Sequence, residues 1–141
     1  MQVKEVLETK GHEFWSVTPD TTVEAAVRLM VDKRVGSVLV VDNEEVRGIV
    51  TERDFVYKVA LQGGLSPDMP VTAVMTTQVL CARPEQTIEQ AMALMTDKRV
   101  RHLPVLDAGR IVGLVSIGDL VKGVISEQQF IINQLESYIN S

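Results

Sequence analysis

DKRVGSVLVVD (residues 32–42) and DKRVRHLPVLD (residues 97–107) share their first four letters, and each continues into an apolar run that ends in Asp. A shift of 65 positions brings the two stretches into register and aligns residues 18–59 with residues 83–124 without a gap. Seventeen of these 42 positions are identical, far more than unrelated segments share. The chain therefore contains two copies of one unit, and fold and function must be read from that repeat.

Each copy predicts the same order of elements. Apolar residues at i, i+3, i+4 and i+7 indicate an amphipathic helix, with Thr21 or Thr22 as its N-cap in the first copy and Thr87 in the second. Two β-branched runs separated by polar residues or Gly then predict a hairpin, and a second helix follows. Short runs ahead of each copy, FWSVT and QVLCA, predict one more strand. The helical positions are Val23, Ala26, Val27 and Met30, and Ile88, Ala91, Met92 and Met95.

These elements predict an α/β fold of two pseudo-symmetric units, each β-α-β-β-α, packed sheet to sheet because neither unit is long enough to bury its own faces. The Gly- and Pro-rich LQGGLSPDMP, residues 61–70, is the predicted linker. We assign residues 1–65 to the first unit with an N-terminal helix, and residues 66–125 to the second unit. Residues 126–141 are predicted to form a C-terminal amphipathic helix, which packs on its own module or contacts a partner.

Composition excludes several classes of protein. The net charge of −5 provides no basic surface for nucleic acid, and no apolar run approaches the roughly 20 residues of a membrane span. A single cysteine, Cys81, excludes an internal disulfide and fits a reducing compartment, and its apolar surroundings favour an inert thiol. No nucleotide-hydrolase, serine-hydrolase or zinc-protease motif is present, and two dispersed His with one Cys do not make a zinc site. We therefore expect a cytoplasmic protein that is not an enzyme.

A family resemblance rests on the end of each hairpin. GIVTERD (residues 48–54) and GLVSIGD (residues 113–119) both have the pattern Gly-apolar-apolar-Thr/Ser-x-x-Asp. Together with the helical stretches VKEVLE and VTAVMT ahead of the two copies, this pattern resembles a tandem pair of cystathionine β-synthase (CBS) domains, also called a Bateman module. The resemblance covers roughly residues 2–126. It implies adenine-containing ligands (AMP, ADP, ATP, S-adenosylmethionine or NAD) in clefts between the units, and regulation of a partner protein.

The resemblance makes Asp54 and Asp119 the candidate ribose-binding residues, since one ionised carboxylate can accept bonds from two adjacent hydroxyls. Thr51 and Ser116, three residues earlier, would contact ribose or phosphate at a helix N-terminus. The same spacing also suits a capping box, with Asp in place of the usual Glu or Gln. Capping and ligand binding are not mutually exclusive.

Further candidates are basic residues of the second copy. Arg101 and His102 replace Gly36 and Ser37 of the first copy. By resemblance, this strand-entry position faces the phosphates; the alternative is a solvated surface cluster. The remaining candidate ligand-binding residues are Arg99, at the end of the helix before this position, where it also suits the helix C-terminus, and Thr18, at the start of the repeat.

We therefore predict a sensor that binds an adenine nucleotide, with AMP or NAD as the favoured ligand, no catalytic cofactor and no metal. We also expect a homodimer and a regulated partner on another chain, of unknown identity. The alternative is an interaction module with vestigial sites, which dimerises and docks a partner without any ligand. Ligand-dependent stabilisation distinguishes the two.

Overall fold

The computed structural model describes residues 1–140 and contains five α-helices, two short 3₁₀ helices (Ala60–Gln62 and Val71–Ala73) and five strands in that range. Contacts divide the chain into two compact units. The first-repeat unit comprises residues 13–80, and the second-repeat unit comprises residues 1–12 together with the chain from Cys81 onward. In chain order the elements are α1 (Val3–Lys10), β1 (Ser16–Val17), α2 (Val23–Lys33), β2 (Ser37–Asp42), β3 (Glu45–Thr51), α3 (Glu52–Lys58), α4 (Ile88–Lys98), β4 (His102–Asp107), β5 (Arg110–Ser116) and α5 (Ile117–Ile139).

Both predicted hairpins form, each with a two-residue loop. β2 pairs antiparallel with β3, and β4 with β5. The loop residues Asn43 and Glu44 have φ of 52° and 67°, and Ala108 and Gly109 have φ of 51° and 80°. Two consecutive left-handed residues match the right-handed twist of the flanking strands. The strand ahead of the first copy is β1, which runs parallel to β2, whereas the corresponding stretch of the second copy makes only an isolated bridge between Ala82 and Val105.

Both helices that open a repeat are capped as predicted. Thr22, rather than Thr21, accepts a bond from the Ala25 amide at the start of α2, and Thr87 accepts one from the Gln90 amide at the start of α4. The apolar faces of these helices form core: Met30 and Met95 are 6% and 2% exposed.

The predicted linker, residues 61–70, makes contacts with the first repeat. Its end returns to α2, because the Val23 amide donates to the Met69 carbonyl and the Val71 amide to the Thr21 carbonyl. Val71 and Val74 are then buried in the core of the first-repeat unit. Residues 66–80 thus pack with the first repeat, although the sequence placed residues 66–125 together.

The N-terminal helix likewise packs elsewhere than expected. We assigned it to the first unit (residues 1–65), but α1 packs on β5 and α5 of the second-repeat unit. Leu7 lies so close to β5 that a Cβ built on Gly113 would meet its Cδ2 at 2.7 Å. A Cβ on Gly123 of α5 would meet Val6 Cγ2 at 3.2 Å. Two glycines of the second repeat therefore make the space that α1 fills.

The C-terminal stretch is helical but is not a separate element. Residues 126–139 continue α5, which runs for 23 residues from Ile117. Residue 141 lies outside the described residues. Leu120 and Gly123 of α5 are buried, whereas every residue from 128 to 140 is exposed.

Candidate functional site

The Thr/Ser-x-x-Asp motifs form capping boxes in both repeats. Thr51 caps α3 by accepting a bond from the Asp54 amide, and the Asp54 side chain accepts one from the Thr51 amide. Ser116 and Asp119 make the same reciprocal pair at the start of α5. Each pair satisfies two amides that the first helical turn would otherwise leave without partners. The prediction that the motif forms a capping box is therefore confirmed. A ligand can bind either carboxylate only through acceptor sites that the cap leaves unused.

Asp54 has little capacity left. Its Oδ2 accepts from the Thr51 amide at 2.9 Å and the Thr51 hydroxyl at 3.1 Å. Its Oδ1 accepts from the Thr76 hydroxyl at 3.0 Å and pairs with Lys58 Nζ at 3.0 Å. A carboxylate offers about four lone-pair sites, and here four donors use them. Asp54 is also only 7% exposed, so the protein itself saturates this carboxylate.

Asp119 is engaged differently. Its Oδ2 accepts from the Ser116 amide at 2.8 Å and from Lys10 Nζ at 2.7 Å, and the Ser116 side chain makes a further bond to the carboxylate. A carboxylate offers about four acceptor sites, so Asp119 retains capacity for a donor such as a ribose hydroxyl. Burial alone would raise the pKa of Asp119, but the bonds from Lys10 and Ser116 outweigh it and hold the pKa below its usual value. This carboxylate is thus charged at neutral pH and partly free to accept.

Lys10 reaches Asp119 because α1 packs beside it. In the first repeat, Lys58 lies four residues after Asp54 on the same helix, but the equivalent residue of the second repeat is Gly123. Gly123 cannot supply a cation, and its missing side chain lets α1 approach. Lys10 therefore takes the place of Lys58, 109 residues away in sequence from the acid that it neutralises.

The fold places Arg101 and His102 at the same end of the hairpin as Ser116. His102 is the register partner of Ser116, and the Arg101 carbonyl accepts from the Ile117 amide at 2.9 Å. Arg101 is exposed and His102 is half-buried. Arg101 and His102 thus lie in the chain beside the N-terminus of α5, where the helix dipole favours an anion, although the Ile117 and Asp119 amides already have partners.

The equivalent position of the first repeat carries no charged side chain. Ser37 pairs in register with Thr51, is 4% exposed, and has no hydrogen-bond partner for its hydroxyl among the described residues. Its neighbour Gly36 brings no charge. The two sites are therefore not chemically equivalent, as the sequence difference predicted.

The two remaining candidates are Arg99 and Thr18. Arg99 ends α4 as its left-handed C-cap, with φ of 56°. Thr18 belongs to the other unit, where its hydroxyl donates to Asp20 and lies 3.2 Å from the Thr21 hydroxyl. Both side chains are exposed. The ligand roles of both residues stay predictions.

An apolar groove of about 480 Å³ lies in the first-repeat unit, between α2 and α3. Its rim includes Val31 and Val56, which are 69% and 49% exposed. Asp54 and Thr51 are not part of its lining. The groove is lined by Val27, Met30, Val31, Arg34, Val35, Gly36, Glu52, Phe55 and Val56.

Other chemistry is sparse. Cys81 is half-buried, and burial raises the pKa of its thiol, which fits the inert role expected of it. Within residues 1–140, no three His, Cys, Asp or Glu side chains gather closely enough to hold a metal ion. Over the same residues, none of the helices combines the length and the hydropathy needed to cross a bilayer.

Sequence reasoning missed three residues of the site: Lys10, Lys58 and Thr76. Lys58 carried a signal, because an acid and a base four residues apart on a helix face each other. Lys10 and Thr76 carried none, since both reach the carboxylates only through the packing of segments that precede each repeat.

The fold and the capping pairs define a module of two β-hairpin units with an asymmetric pair of carboxylate sites. The chain belongs to the CBS domain family: the family model matches residues 3–61 and 71–126. This confirms the resemblance seen in the sequence and the α/β class of the fold.

Relatives match almost the whole chain. The mitochondrial CBS domain-containing protein CBSX3 of Arabidopsis thaliana is 35% identical, over 97% of this chain and 71% of its own length. A proposed signal-transduction protein with CBS domains from Burkholderia ambifaria MC40-6 is 45% identical, with a TM-score of 0.86 over 91% of this chain and 96% of its own. The CBS domain pair of protein MJ0100, in complex with 5-methylthioadenosine and S-adenosyl-L-methionine, has a TM-score of 0.77 over 90% of this chain and 98% of its own. At 19% identity, MJ0100 shares the fold alone.

Proposed function

We propose that this chain is a regulatory sensor that binds an adenine nucleotide without turning it over, and that its tighter site lies in the second-repeat unit. The observation that carries the proposal is the partly free carboxylate of Asp119 at the end of the β4–β5 hairpin where Arg101 and His102 enter β4. The carboxylate would accept the ribose hydroxyls, in charge-assisted bonds worth about 1.5–3 kcal/mol each. The two basic side chains and the N-terminus of α5 would hold the phosphate.

AMP fits this arrangement directly, because one phosphate meets one pair of basic side chains. NAD would have to bring a pyrophosphate to the same cluster. Ligands of related chemistry, 5-methylthioadenosine and S-adenosyl-L-methionine, occupy the CBS pair of MJ0100, so this fold accommodates an adenosine group. Arg99 and Thr18 are proposed as outer contacts, and the protein is proposed to act in the cytoplasm on a partner carried by another chain.

A vestigial site is the second candidate, and one observation favours it for the first repeat. Asp54 already accepts from Thr51, Thr76 and Lys58, so a ribose there would have to displace protein donors. If Asp119 behaved in the same way, the chain would be an interaction module that binds partners without a ligand.

A thermal-shift panel of AMP, ADP, ATP, NAD, NADH and S-adenosylmethionine tests the proposal. A ligand at 100 times its Kd stabilises the folded state by about 2.7 kcal/mol, which is a shift of several degrees at this chain length. We expect saturable stabilisation by at least one ligand. A flat panel, repeated by calorimetry at millimolar ligand, would leave the interaction module as the better account.

We also propose that the chain is a homodimer. The exposed Val31 and Val56 on the rim of the groove support it, since apolar residues so placed are stabilised when a second surface covers them. Light scattering at micromolar concentration should give about twice the chain mass of 15.6 kDa. A particle of a single chain mass would contradict the proposal.

A further inference from the structure

From its second turn to its end, α5 carries an apolar stripe with one polar member, which we call the α5 stripe: Val121, Ile125, Gln128, Ile132, Leu135 and Ile139. Its members alternate at spacings of four and three residues, which is the heptad spacing of a coiled-coil seam. The exposed fraction of its apolar members runs from 40% at Val121 to 76% at Ile139. Gln128 is the one polar residue of this seam, and a single polar seam residue restricts register at a cost in stability.

This part of α5 needs a covering surface. Every residue from 128 to 140 is exposed, and an isolated helix shorter than about 12–15 residues is only marginally stable in water. Helices are stabilised mainly by burying one face, and the α5 stripe is the face available for that.

The charges beside the α5 stripe favour a second copy of α5 as the covering surface, in antiparallel orientation. Lys122 and Glu136 both follow a seam residue immediately, so both lie on the same flank of the stripe, with Gln129 midway between them. When two such helices run antiparallel about Gln129, Lys122 of each copy lies opposite Glu136 of the other. A parallel pair would place Glu136 beside Ile131 of the second copy, without a counter-charge.

The same alignment matches the seam layer by layer. Val121 faces Ile139 of the second copy, Ile125 faces Leu135, and Gln128 faces Ile132. On the other flank, Ile131, which is 52% exposed, meets its own counterpart across the twofold axis. A pairing in which each surface contacts itself is closed and stops at two copies.

We propose that α5 pairs antiparallel with α5 of a second copy of this chain, through the α5 stripe and two Lys122–Glu136 ion pairs. This pairing does not rest on ligand binding, and it is separate from the groove of the first-repeat unit. A homodimer that uses only the groove would satisfy the earlier proposal and refute this one.

Charge reversal is the first test. Lys122→Glu and Glu136→Lys each turn two attractive contacts per dimer into two repulsive ones. We expect each to weaken self-association about 5- to 30-fold in sedimentation equilibrium, and the double variant to restore it. Ser137→Lys, which adds charge on the side of the helix facing away from the stripe, is the matched control and should change little. Unchanged association in both single variants, or a double variant as weak as the singles, overturns the ion pairs.

Direction is tested by distances between spin labels. In a Cys81→Ser background, Gln129→Cys labels should lie close together across the axis. Glu136→Cys labels should be separated by about 21 Å along the helix axis, because residues 122 and 136 are 14 residues apart at 1.5 Å each. Short distances at both positions mean a parallel pair, and long distances at both mean that the helices do not pair. Either result overturns the proposal.

Discussion

Replacing the aspartate of each site by asparagine should have opposite main effects in the two repeats. Asp119→Asn should mainly weaken ligand binding, and Asp54→Asn should mainly lower stability. Asp119→Asn keeps one oxygen to accept from the Ser116 amide, so the cap persists. The variant loses the charge opposite Lys10, in a pair whose side chains are 31% and 17% exposed, and we expect a cost of about 1 kcal/mol in stability. The lost charge-assisted bonds to ribose should weaken AMP about 10- to 150-fold.

Asp54→Asn should do the reverse. Its two oxygens each accept two donors, and an amide has only one oxygen, so its NH₂ group must face either Thr51 or the pair of Thr76 and Lys58. Donors then meet donors in a nearly buried site, at a cost of about 1–3 kcal/mol. Because no acceptor there is free for ligand, AMP affinity should fall by less than about threefold.

Isothermal titration calorimetry with AMP and thermal unfolding of the same preparations measure both quantities. Lys10→Met is the control, since it removes the ion pair but leaves the Asp119 carboxylate, and it should bind AMP as well as the parent or better. The assignment of the tight site is refuted if Asp54→Asn weakens AMP more than Asp119→Asn does.

Three further predictions concern charge, packing and pH. Arg101→Gly, which copies the first repeat, should weaken AMP about tenfold or more and adenosine little, with a smaller effect at high salt; equal losses for both ligands, measured by calorimetry, would exclude a phosphate contact. Gly113→Ala should lower the unfolding free energy by about 1–3 kcal/mol, because the new Cβ meets the buried Leu7 at 2.7 Å. Urea titration measures this change, and an unchanged unfolding midpoint would contradict the close packing of α1. Folding lowers the pKa of Asp119, so the charged carboxylate should contribute its full stabilisation above the unfolded pKa of about 3.8 and lose it as the pH falls through the lower folded pKa. The difference in unfolding free energy between the parent and Asp119→Asn should therefore vanish in acid. A difference that persists in acid would have another cause.

The sequence predicted the parts of the fold that local patterns determine. Helical spacing gave α2 and α4, and the β-branched runs gave both hairpins, because side-chain periodicity reports which face of an element is buried. The capping pairs Thr51–Asp54 and Ser116–Asp119 were also readable, since a cap involves residues only three apart. The repeat made these local predictions reinforce one another.

Only the tertiary structure determined what the segments outside the repeat do. α1 and the stretch around Val71 precede different copies in sequence from those on which they pack, and no periodicity encodes that choice. Leu7 fits against Gly113, and this contact brings Lys10 to Asp119 across 109 residues of chain. Thr76 completes Asp54 in the same way. The difference between the saturated carboxylate of Asp54 and the partly free one of Asp119 therefore arises from contacts between segments far apart in sequence. The repeat alone was enough to predict which two carboxylates form the sites.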